Sequence, residues 1–544
     1  MKSVLKYLTT CILALLLSYN STAQKKLSGI DVITAADLES YVSFLASPHL
    51  RGRMNSEPGL EIAQQYIVSQ AKLLGLRPGN NSSFFQPYYL TNHLIDPLKS
   101  MIQVVSGNND TVTLRKPIYQ LVPTGPSDFV VEGEVVFAGY GLKQDKLDYD
   151  DFENIDPAGK ILLVMLGAPP SRDGRGSLVG EVDWSSFQSI QIKLTSLLFT
   201  RASAILIVPD PRTGHSSIEE QFPGISGELN STKSLKGEKP RILQLPGMPK
   251  MMFVHSDVAN EILKGTGYTL ENLQKKIDTE VKPSSFQIPD IRIKITETVK
   301  TEEIILNNVA AYIEGSDPVL KDEYVIFSAH ADHIGVSSRG INFGADDNAS
   351  GCAALLSLAE AFQSLEKKPL RSIMFLWVSG EEIGLYGSKY YVNNPLVPLE
   401  KTLVDLNLDM IGRVKSEADS TDKNPMSGPR EVFIITGGQS KELLSIAESV
   451  DKRMILDFDY SLSGREHPLQ LFARSDHYNF VTKDIPVLFF STGLHTDYHS
   501  PGDVVEKIDF DKMELIVKTM FEIGYTVSNK RARIMVDYPF SKWE

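Results

Sequence analysis

Short apolar runs recur through the second half of the chain, and between them lie stretches in which apolar residues follow a helical spacing. The runs are rich in Val, Ile, Leu and Phe, as expected for strands buried on both faces. They lie at 324–329, 372–378, 403–408, 431–435 and 486–490. The helical patterns lie at 349–365, 384–392, 441–454 and 510–527. This alternation predicts an α/β fold with a mostly parallel, mixed sheet flanked by helices.

The pattern is different in the first half of the chain. Helical patterns at 35–46 and 60–74 give way, from 110 to 290, to strand-like runs separated by turns rich in Pro and Gly. These runs lie at 133–137, 160–166 and 204–208. Since 544 residues suffice for two or three domains, we predict the following division. It comprises an N-terminal helical part of the main domain at 24–109, a separate β-rich domain at 110–290, and the rest of the main domain at 291–544.

The first 23 residues have the pattern of a secretory signal peptide. Lys2 and Lys6 precede the apolar segment 8–17, and small residues follow at 21–23. The apolar segment is shorter than the roughly 20 residues that cross a bilayer. We therefore expect cleavage before Gln24 and an exported protein, periplasmic or secreted, with no transmembrane anchor afterwards. An uncleaved anchor is the alternative.

Composition excludes some classes of function. The formal net charge is -13 and no block rich in Lys and Arg stands out, so nucleic-acid binding is not expected. The two cysteines are Cys11, inside the predicted signal, and Cys352. The mature chain would therefore lack an internal disulfide and depend on a buried core. Cys352 lies among small residues at a predicted helix start, which favours a packed core position.

Histidines and carboxylates follow the predicted strands of the second half. The motifs are 328–332 (Ser-Ala-His-Ala-Asp), 344–348 (Gly-Ala-Asp-Asp-Asn), 381–382 (Glu-Glu), 409–410 (Asp-Met) and 499–501 (His-Ser-Pro). Open α/β sheets bind ligands at the carboxyl ends of their strands. Two histidines and three or four carboxylates from separate segments can hold two zinc ions. The set therefore predicts a two-metal hydrolase.

Two of these motifs contain paired polar residues. Asp332 can accept the second ring N–H of His330, which would fix its tautomer. Asp346 and Asp347 precede a helix, where acidic residues commonly cap. Together with Asn348 they exceed what a cap needs, and one carboxylate could bridge two cations.

Adjacent carboxylates at Glu381 and Glu382 just past a buried strand are costly unless they are paired or bind metal. One can bind a metal while the other stays free as a base. Asp409 fits either a ligand or a helix cap. His499 lies in a loop, with His495 as a competitor for any ligand role.

This ordered set resembles the M28 family of zinc metallopeptidases, over 304 to about 527. The resemblance implies two zinc ions per chain, with Asp347 bridging them. His330 and Asp409 would bind one ion, and Glu382 and His499 would bind the other. Glu381 would be the general base, and Asp332 would support His330. The family also has a cis peptide bond after its bridging aspartate, here between Asp347 and Asn348.

Two further segments resemble parts of exported members of this family. The runs at 133–141, 159–164 and 202–208 are similar to the protease-associated (PA) domain often inserted in such peptidases. The segment 48–53 (Pro-His-Leu-Arg-Gly-Arg) is similar to their N-terminal lead-in.

These resemblances imply an aminopeptidase, which removes N-terminal residues from peptide substrates. A carboxypeptidase or dipeptidase on the same fold is an alternative, and it would need a cation for the substrate carboxylate. Arg474 and Arg339 are candidates, although either could be a surface charge. Glutaminyl cyclisation with a single zinc is disfavoured by the complete ligand set, and a binding module by the intact base. Cobalt or manganese could occupy the same ligands.

Overall fold

The computed structural model describes residues 29–542 except 109, 116–118, 122–126, 172–175, 181–186, 223–230, 239–247, 338 and 417–423. The predicted signal peptide lies outside the described residues. The helices are α1 (Ala35–Leu45), α2 (Pro58–Leu73), α3 (Phe187–Leu197), α4 (Ile218–Gln221), α5 (Ser256–Leu263), α6 (Leu270–Glu280), α7 (Gly351–Ser364), α8 (Tyr386–Asn393), α9 (Lys441–Met454), α10 (His477–Val481) and α11 (Phe510–Asn529).

The strands of the first half are β1 (Arg77–Pro78), β2 (Phe85–Ile95), β3 (Met101–Ser106), β4 (Thr111–Leu114), β5 (Tyr119–Leu121), β6 (Phe129–Phe137), β7 (Lys143–Gln144), β8 (Tyr149–Asp150), β9 (Ile161–Met165), β10 (Ala204–Val208), β11 (Ser231–Leu235), β12 (Lys250–Val254), β13 (Phe286–Glu297) and β14 (Val299–Ile313). Those of the second half are β15 (Tyr324–His330), β16 (Val336–Ser337), β17 (Gly340–Ile341), β18 (Ser372–Val378), β19 (Thr402–Leu408), β20 (Glu431–Ile435), β21 (Asp457–Asp459) and β22 (Val487–Ser491).

The main sheet has the order β11-β2-β14-β18-β15-β19-β22-β20-β21, with β1 paired beside β14. Its four central strands, β18, β15, β19 and β22, are parallel. They are mostly apolar, and every described residue in them except Tyr324 is buried, as expected for strands covered by helices on both faces. The predicted α/β class with a mostly parallel mixed sheet is thereby confirmed. A parallel arrangement also brings the carboxyl ends of these four strands to one edge.

The second sheet has the order β4-β3-β13-β6-β9-β10-β12-β5. It runs from Met101 to Glu297 and so extends beyond the predicted limits of 110 and 290, because β3 and the long β13 pair within it. The segment 24–109 is correspondingly not only helical, since β2 belongs to the main sheet. The identity of this second module (residues 97–297) as a PA domain stays a prediction.

The second module is inserted between two neighbouring strands of the main sheet. β2 and β14 are antiparallel, with Ile95 opposite Val299, and the N–H of Asp96 donates to the carbonyl of Thr298 at 2.8 Å. The chain therefore leaves and re-enters the main sheet at adjacent points. One strand of the module, β11, returns to pair with β2 at the edge of the main sheet. Among the described residues, no helix combines the length and apolar character needed to cross a membrane.

Candidate metal centre

The parallel strands deliver the predicted site residues to one place. His330 is the last residue of β15, Glu381 and Glu382 follow β18, and Asp409 follows β19 directly. Asp347 lies in an irregular turn at Ala345–Ser350 that leads into α7, and the peptide bond after it is cis, as the resemblance implied. His499 lies in the loop after β22. All seven predicted residues, Asp332 included, contact or adjoin this centre.

The first group of donor atoms is formed by His330, Asp347 and Asp409. Nε2 of His330 lies 3.2 Å from Oδ1 of Asp347 and 3.2 Å from Oδ1 of Asp409. All three side chains are buried. The other carboxylate oxygen of Asp409 accepts a hydrogen bond from the Ser475 hydroxyl at 2.8 Å, which fixes the rotation of that carboxylate. One imidazole and two carboxylates are a donor set that suits zinc.

The second group contains Asp347, Glu382 and His499. Nε2 of His499 lies 3.0 Å from Oε2 of Glu382 and 3.3 Å from Oδ2 of Asp347. The two oxygens of Asp347 thus face different groups, which is the arrangement expected of a bridging carboxylate. His333, which the motif comparison overlooked, adjoins this group with Nδ1 2.7 Å from Oε1 of Glu382 and 3.8 Å from Oδ2 of Asp347.

The charges of these candidate ligands influence one another. Burial acts to raise the pKa of Glu382, but His499 and His333 lower it to about 2. Burial acts to lower the pKa of His499, but Glu382 and Asp347 raise it to about 10. Burial likewise opposes ionisation of Asp347, yet His330 and His499 hold its pKa well below the usual range. Protonated His330 and His499 thus neutralise these carboxylates, as bound divalent cations also would.

Glu381 differs electrostatically from its neighbour. Burial raises its pKa well above the usual range, and the carboxylates of Glu382 and Asp409 raise it further, although His330 opposes them. Glu381 lines the same cavity as Asp347 and Asp409. A bound cation would lower this pKa and restore the carboxylate that a general base requires.

Asp332 contacts its neighbours differently from the expectation. Nδ1 of His330 lies 3.1 Å from the backbone oxygen of Asp332, whereas its distance to Oδ1 of Asp332 is 3.9 Å. The ring N–H therefore points to the carbonyl. The carboxylate instead accepts hydrogen bonds from the backbone N–H groups of Glu381 and Glu382, both at 3.3 Å. It connects the loop after β15 to the loop after β18.

The competing candidates Asp346 and His495 face away from the donor groups. Oδ1 of Asp346 accepts the N–H of Gly412 at 2.6 Å, and its Oδ2 lies 3.4 Å from Nε2 of His495. Asp503 accepts the backbone N–H groups of Asp346 and Asp347 at 3.0 to 3.1 Å. This pairing holds the turn that presents Asp347. Cys352 is buried, as predicted, with its thiol 3.1 Å from the carbonyl of His330.

The donor atoms fit divalent cations. Nε2 of His499 and Nε2 of His333 are buried and make no hydrogen bond, although Nε2 of His499 lies within 3.3 Å of two carboxylate oxygens. Close donors that converge without hydrogen-bond geometry are expected of ligands to a common ion. Several buried carboxylates without a matching number of cationic side chains are also costly unless cations neutralise them. The residues therefore fit a zinc centre.

The cavity beside these ligands has apolar walls and one cationic rim residue. The walls are Met410, Leu471, Phe489 and Leu494, and the rim carries Arg474 and Tyr498. The guanidinium of Arg474 donates to the Tyr498 hydroxyl at 3.3 Å and lies 5.9 Å from the centre of its ring. The Tyr498 ring in turn stacks on His499, with centroids 3.8 Å apart. Arg339 lies outside the cavity lining, with a guanidinium nitrogen 3.5 Å from the backbone oxygen of His499.

Residues 308–524 match the model described as Peptidase family M28. Leupeptin-inactivating enzyme 1 of Streptomyces exfoliatus is 41% identical over 107 residues, which cover 19% of this chain and 22% of that protein. An aminopeptidase of Pseudomonas aeruginosa is 35% identical over 128 residues, which cover 23% of this chain and 22% of that protein. The chain thus spans less than a quarter of the length of either curated relative.

Two solved structures align with more than nine-tenths of the chain. The aminopeptidase from Aneurinibacillus sp. strain AM-1 has a TM-score of 0.53 at 17% identity, and the alignment covers 94% of this chain and 97% of that one. A zinc aminopeptidase from Bacillus subtilis has a TM-score of 0.53 at 18% identity, with 92% and 97% covered. At these identities the likeness concerns the fold.

The matched segment contains all the donor groups described above, so the site is similar to that of a zinc-dependent peptidase. Residues 308–524 are thus similar to the M28 peptidases, and the fold of the chain is similar to that of solved zinc aminopeptidases. The predicted resemblance to M28 is confirmed.

Proposed function

We propose that this chain is an exported aminopeptidase that binds two zinc ions and removes N-terminal residues from peptides. The observation that carries the proposal is the position of Asp347, whose two carboxylate oxygens face two different sets of ligands. His330 and Asp409 would complete one zinc site, and Glu382 and His499 would complete the other. The aminopeptidase names among the relatives support the substrate class.

In the proposed reaction, zinc and the protein side chains would have different roles. Zinc, when bound, supplies Lewis acidity toward carbonyl and water oxygens. Glu381 would accept the proton of the attacking water on a carboxylate oxygen and pass it to the nitrogen of the leaving amine. Asp332 would hold the backbone of Glu381 and Glu382, so that base and ligand keep their separation. The apolar cavity walls would receive a side chain of the substrate and exclude water.

Substitution of the base tests this assignment. Glu381→Gln should lower kcat by about 10²- to 10⁴-fold, because general-base catalysis contributes on that scale. It should retain two zinc ions per chain, since Glu381 is not assigned as a ligand. Turnover of aminoacyl substrates and metal content of the purified variant are the measurements. The matched variant Glu382→Gln should lose zinc as well as turnover, and an unchanged kcat in Glu381→Gln rejects the assignment.

A dipeptidase or carboxypeptidase is the second candidate, and the position of Arg474 favours it. Its guanidinium lies on the cavity rim, where it could bind a substrate carboxylate. Assays with free and N-blocked dipeptides, each with and without a C-terminal amide, distinguish the two functions. An aminopeptidase requires the free N-terminus and tolerates the amide, whereas the second candidate requires the free carboxylate.

We also propose that the second module is a PA domain that limits the size of substrates reaching the centre. Its strand β11 lies next to the ligand-bearing half of the molecule: the carbonyl of Lys233 accepts a hydrogen bond from the Tyr386 hydroxyl of α8 at 2.5 Å. Export would follow from cleavage of the predicted signal, which N-terminal sequencing of the native protein can test.

A further inference from the structure

We propose that a short N-terminal segment, Gly52 to Asn55, positions three of the loops that carry the metal ligands. This segment lies outside the part of the chain that matches the family model, which begins at residue 308. It overlaps the end of the lead-in motif at 48–53, to which the proposed mechanism assigns no role. The inference rests on the proposed zinc ligands and extends them to residues far away in sequence.

Arg53 connects the loop after β15 to the turn that carries Asp347. Its side chain is 1% exposed, and its Nε donates to the carbonyl of Ala331, next to His330, at 3.0 Å. The two terminal nitrogens donate to the carbonyls of Phe343 and Gly344, both at 2.9 Å. These carbonyls come just before the irregular turn. A guanidinium has donors in a rigid planar fork, so it can hold separate carbonyls at a set distance.

Asn55 connects the loop after β15 to the loop after β18. Its side-chain nitrogen donates to Oδ2 of Asp332 at 2.6 Å, and its side-chain oxygen accepts the N–H of Gly380 at 3.1 Å. The orientation of the amide is fixed, since the carboxylate can only accept and the backbone N–H can only donate. Gly380 immediately precedes Glu381 and Glu382. Asn55 thus joins Asp332, two residues after His330, to Gly380, the residue before the proposed base.

Backbone hydrogen bonds align the segment with the loop after β15. The N–H of His333 donates to the carbonyl of Arg53 at 3.1 Å, and the N–H of Gly335 donates to the carbonyl of Gly52 at 3.0 Å. A residue with a side chain could not replace Gly52, because its Cβ would lie 2.3 Å from the carbonyl oxygen of Asn342 and its φ is +73°. The close approach therefore depends on the Gly-Arg sequence of the motif.

These contacts should affect zinc affinity, because they fix the segments that carry the proposed ligands. His330 ends β15, whereas Asp347 and Glu382 lie in two other segments. Next to each of them the backbone has a hydrogen bond to Arg53, to Asn55, or to Asp332, which Asn55 holds. Residues that orient metal ligands typically change metal affinity or activity 10- to 100-fold when they are replaced. Arg53 and Asn55 are accordingly positioning residues that do not touch the metal.

Asn55→Asp gives the sharpest test in the full-length chain. The aspartate keeps an oxygen for the N–H of Gly380 but loses the donor to Asp332 and sets two carboxylates against each other. We expect zinc affinity, measured by competition with a chromophoric chelator, to fall 10- to 100-fold. We also expect kcat at saturating zinc to fall more than KM changes. Arg53→Lys, which keeps the charge but not the fork, should lower zinc affinity in the same direction.

Arg51→Lys is the matched control, because Arg51 is an exposed cation two residues from Arg53; its zinc affinity should equal that of the wild type. A merely structural role would lower the Tm of the metal-free chain and leave zinc affinity unchanged in Asn55→Asp and Arg53→Lys, and that result overturns the inference. A wild-type chain that binds zinc but cleaves no peptide rejects the proposed function alone, since the affinity measurements still decide the role of the segment.

Discussion

His333 and His499 both contact Glu382, but their surroundings differ. Nδ1 of His333 lies 2.7 Å from one oxygen of Glu382, while Nε2 of His499 lies between the second oxygen and Asp347. The His333 side chain is fully buried, whereas the His499 side chain is 35% exposed. With His499 as the proposed ligand, His333 would orient Glu382; the donor atom of His333 also lies close enough to Asp347 and Glu382 to share a metal ion with them.

Replacement of these two histidines should therefore have unequal effects. His499→Gln should reduce the zinc content from two ions to one, because it removes a ligand directly. His333→Gln should retain two ions with affinity lowered by about 10- to 100-fold, as for other residues that orient ligands. Metal analysis after gel filtration at several free zinc concentrations measures both effects. Loss of one ion in His333→Gln with two retained in His499→Gln would reverse the two roles.

At the scale of single elements, α11 packs closely on the central strand that ends in His330. A Cβ on Gly524 would lie 2.3 Å from Cζ of Phe327, so the helix approaches β15 closely only because this position has no side chain. Gly524→Ala should lower the free energy of unfolding by about 1–3 kcal/mol, the usual cost of overpacking a core. Thermal or urea denaturation provides the measurement.

A change elsewhere on the same helix serves as the comparison for Gly524→Ala. Thr526→Ala, at a half-buried position, removes only a hydroxyl that donates to the carbonyl of Glu522, and alanine favours helix. Its free energy of unfolding should change by less than 1 kcal/mol, since isolated changes near the surface are small. Equal destabilisation by both variants would contradict the close packing of α11 on Phe327.

Elements with a strongly apolar or strongly periodic sequence were predictable, and elements of mixed composition were not. β18, β10 and α9 begin and end at the predicted residues because their composition is strongly apolar or strongly periodic. β14 was not predicted: it carries Lys, Thr and Glu residues near its start, and its pairing partner β2 is distant in sequence. Local pattern cannot reveal a strand whose stability comes from a remote neighbour.

The same distinction holds within the candidate centre. The residues predicted from their position after buried strands, such as His330 and Asp409, do converge. His333 and Asn55 carried no comparable signal, because His333 lies within the loop after β15 and Asn55 belongs to the distant N-terminal segment. Only the tertiary structure reveals their contacts with Glu382 and Asp332.

At the scale of the whole molecule, the meeting of Asp96 and Thr298 makes the second module removable in principle. A variant in which Asn-Gly replaces residues 97–297 should fold, because this dipeptide favours the tight turn that joins antiparallel strands. Its free energy of unfolding should be lower than that of the full chain, since loss of β11 uncovers Leu90 and Leu306. Such a chain should also accept longer peptides. Denaturation and peptide-length profiles check both expectations.

The contribution of the Leu90, Leu235 and Leu306 cluster to stability can be measured separately in the intact chain. Leu235→Ala removes the side chain of β11 that packs on Leu90 and Leu306, and it leaves the module in place. This variant should lose about 2–5 kcal/mol of stability without any change in the preferred peptide length. An unchanged length profile in the chain that lacks the module would show that the module does not restrict access.

The insertion between β2 and β14 also bears on how a nascent chain acquires its structure. Translation releases β2 long before its partner β14 exists, so the backbone groups on the side of β2 that faces β14 stay unpaired while the second module is synthesised. The last strand of that module, β13, ends at Glu297, just before β14 begins at Val299. If the module collapses first, it brings Asp96 and Thr298 together and shortens the loop that must close. In the ribosome-bound chain, the folded module would then make the pairing of β2 with β14 a local contact, although the two strands are far apart in sequence.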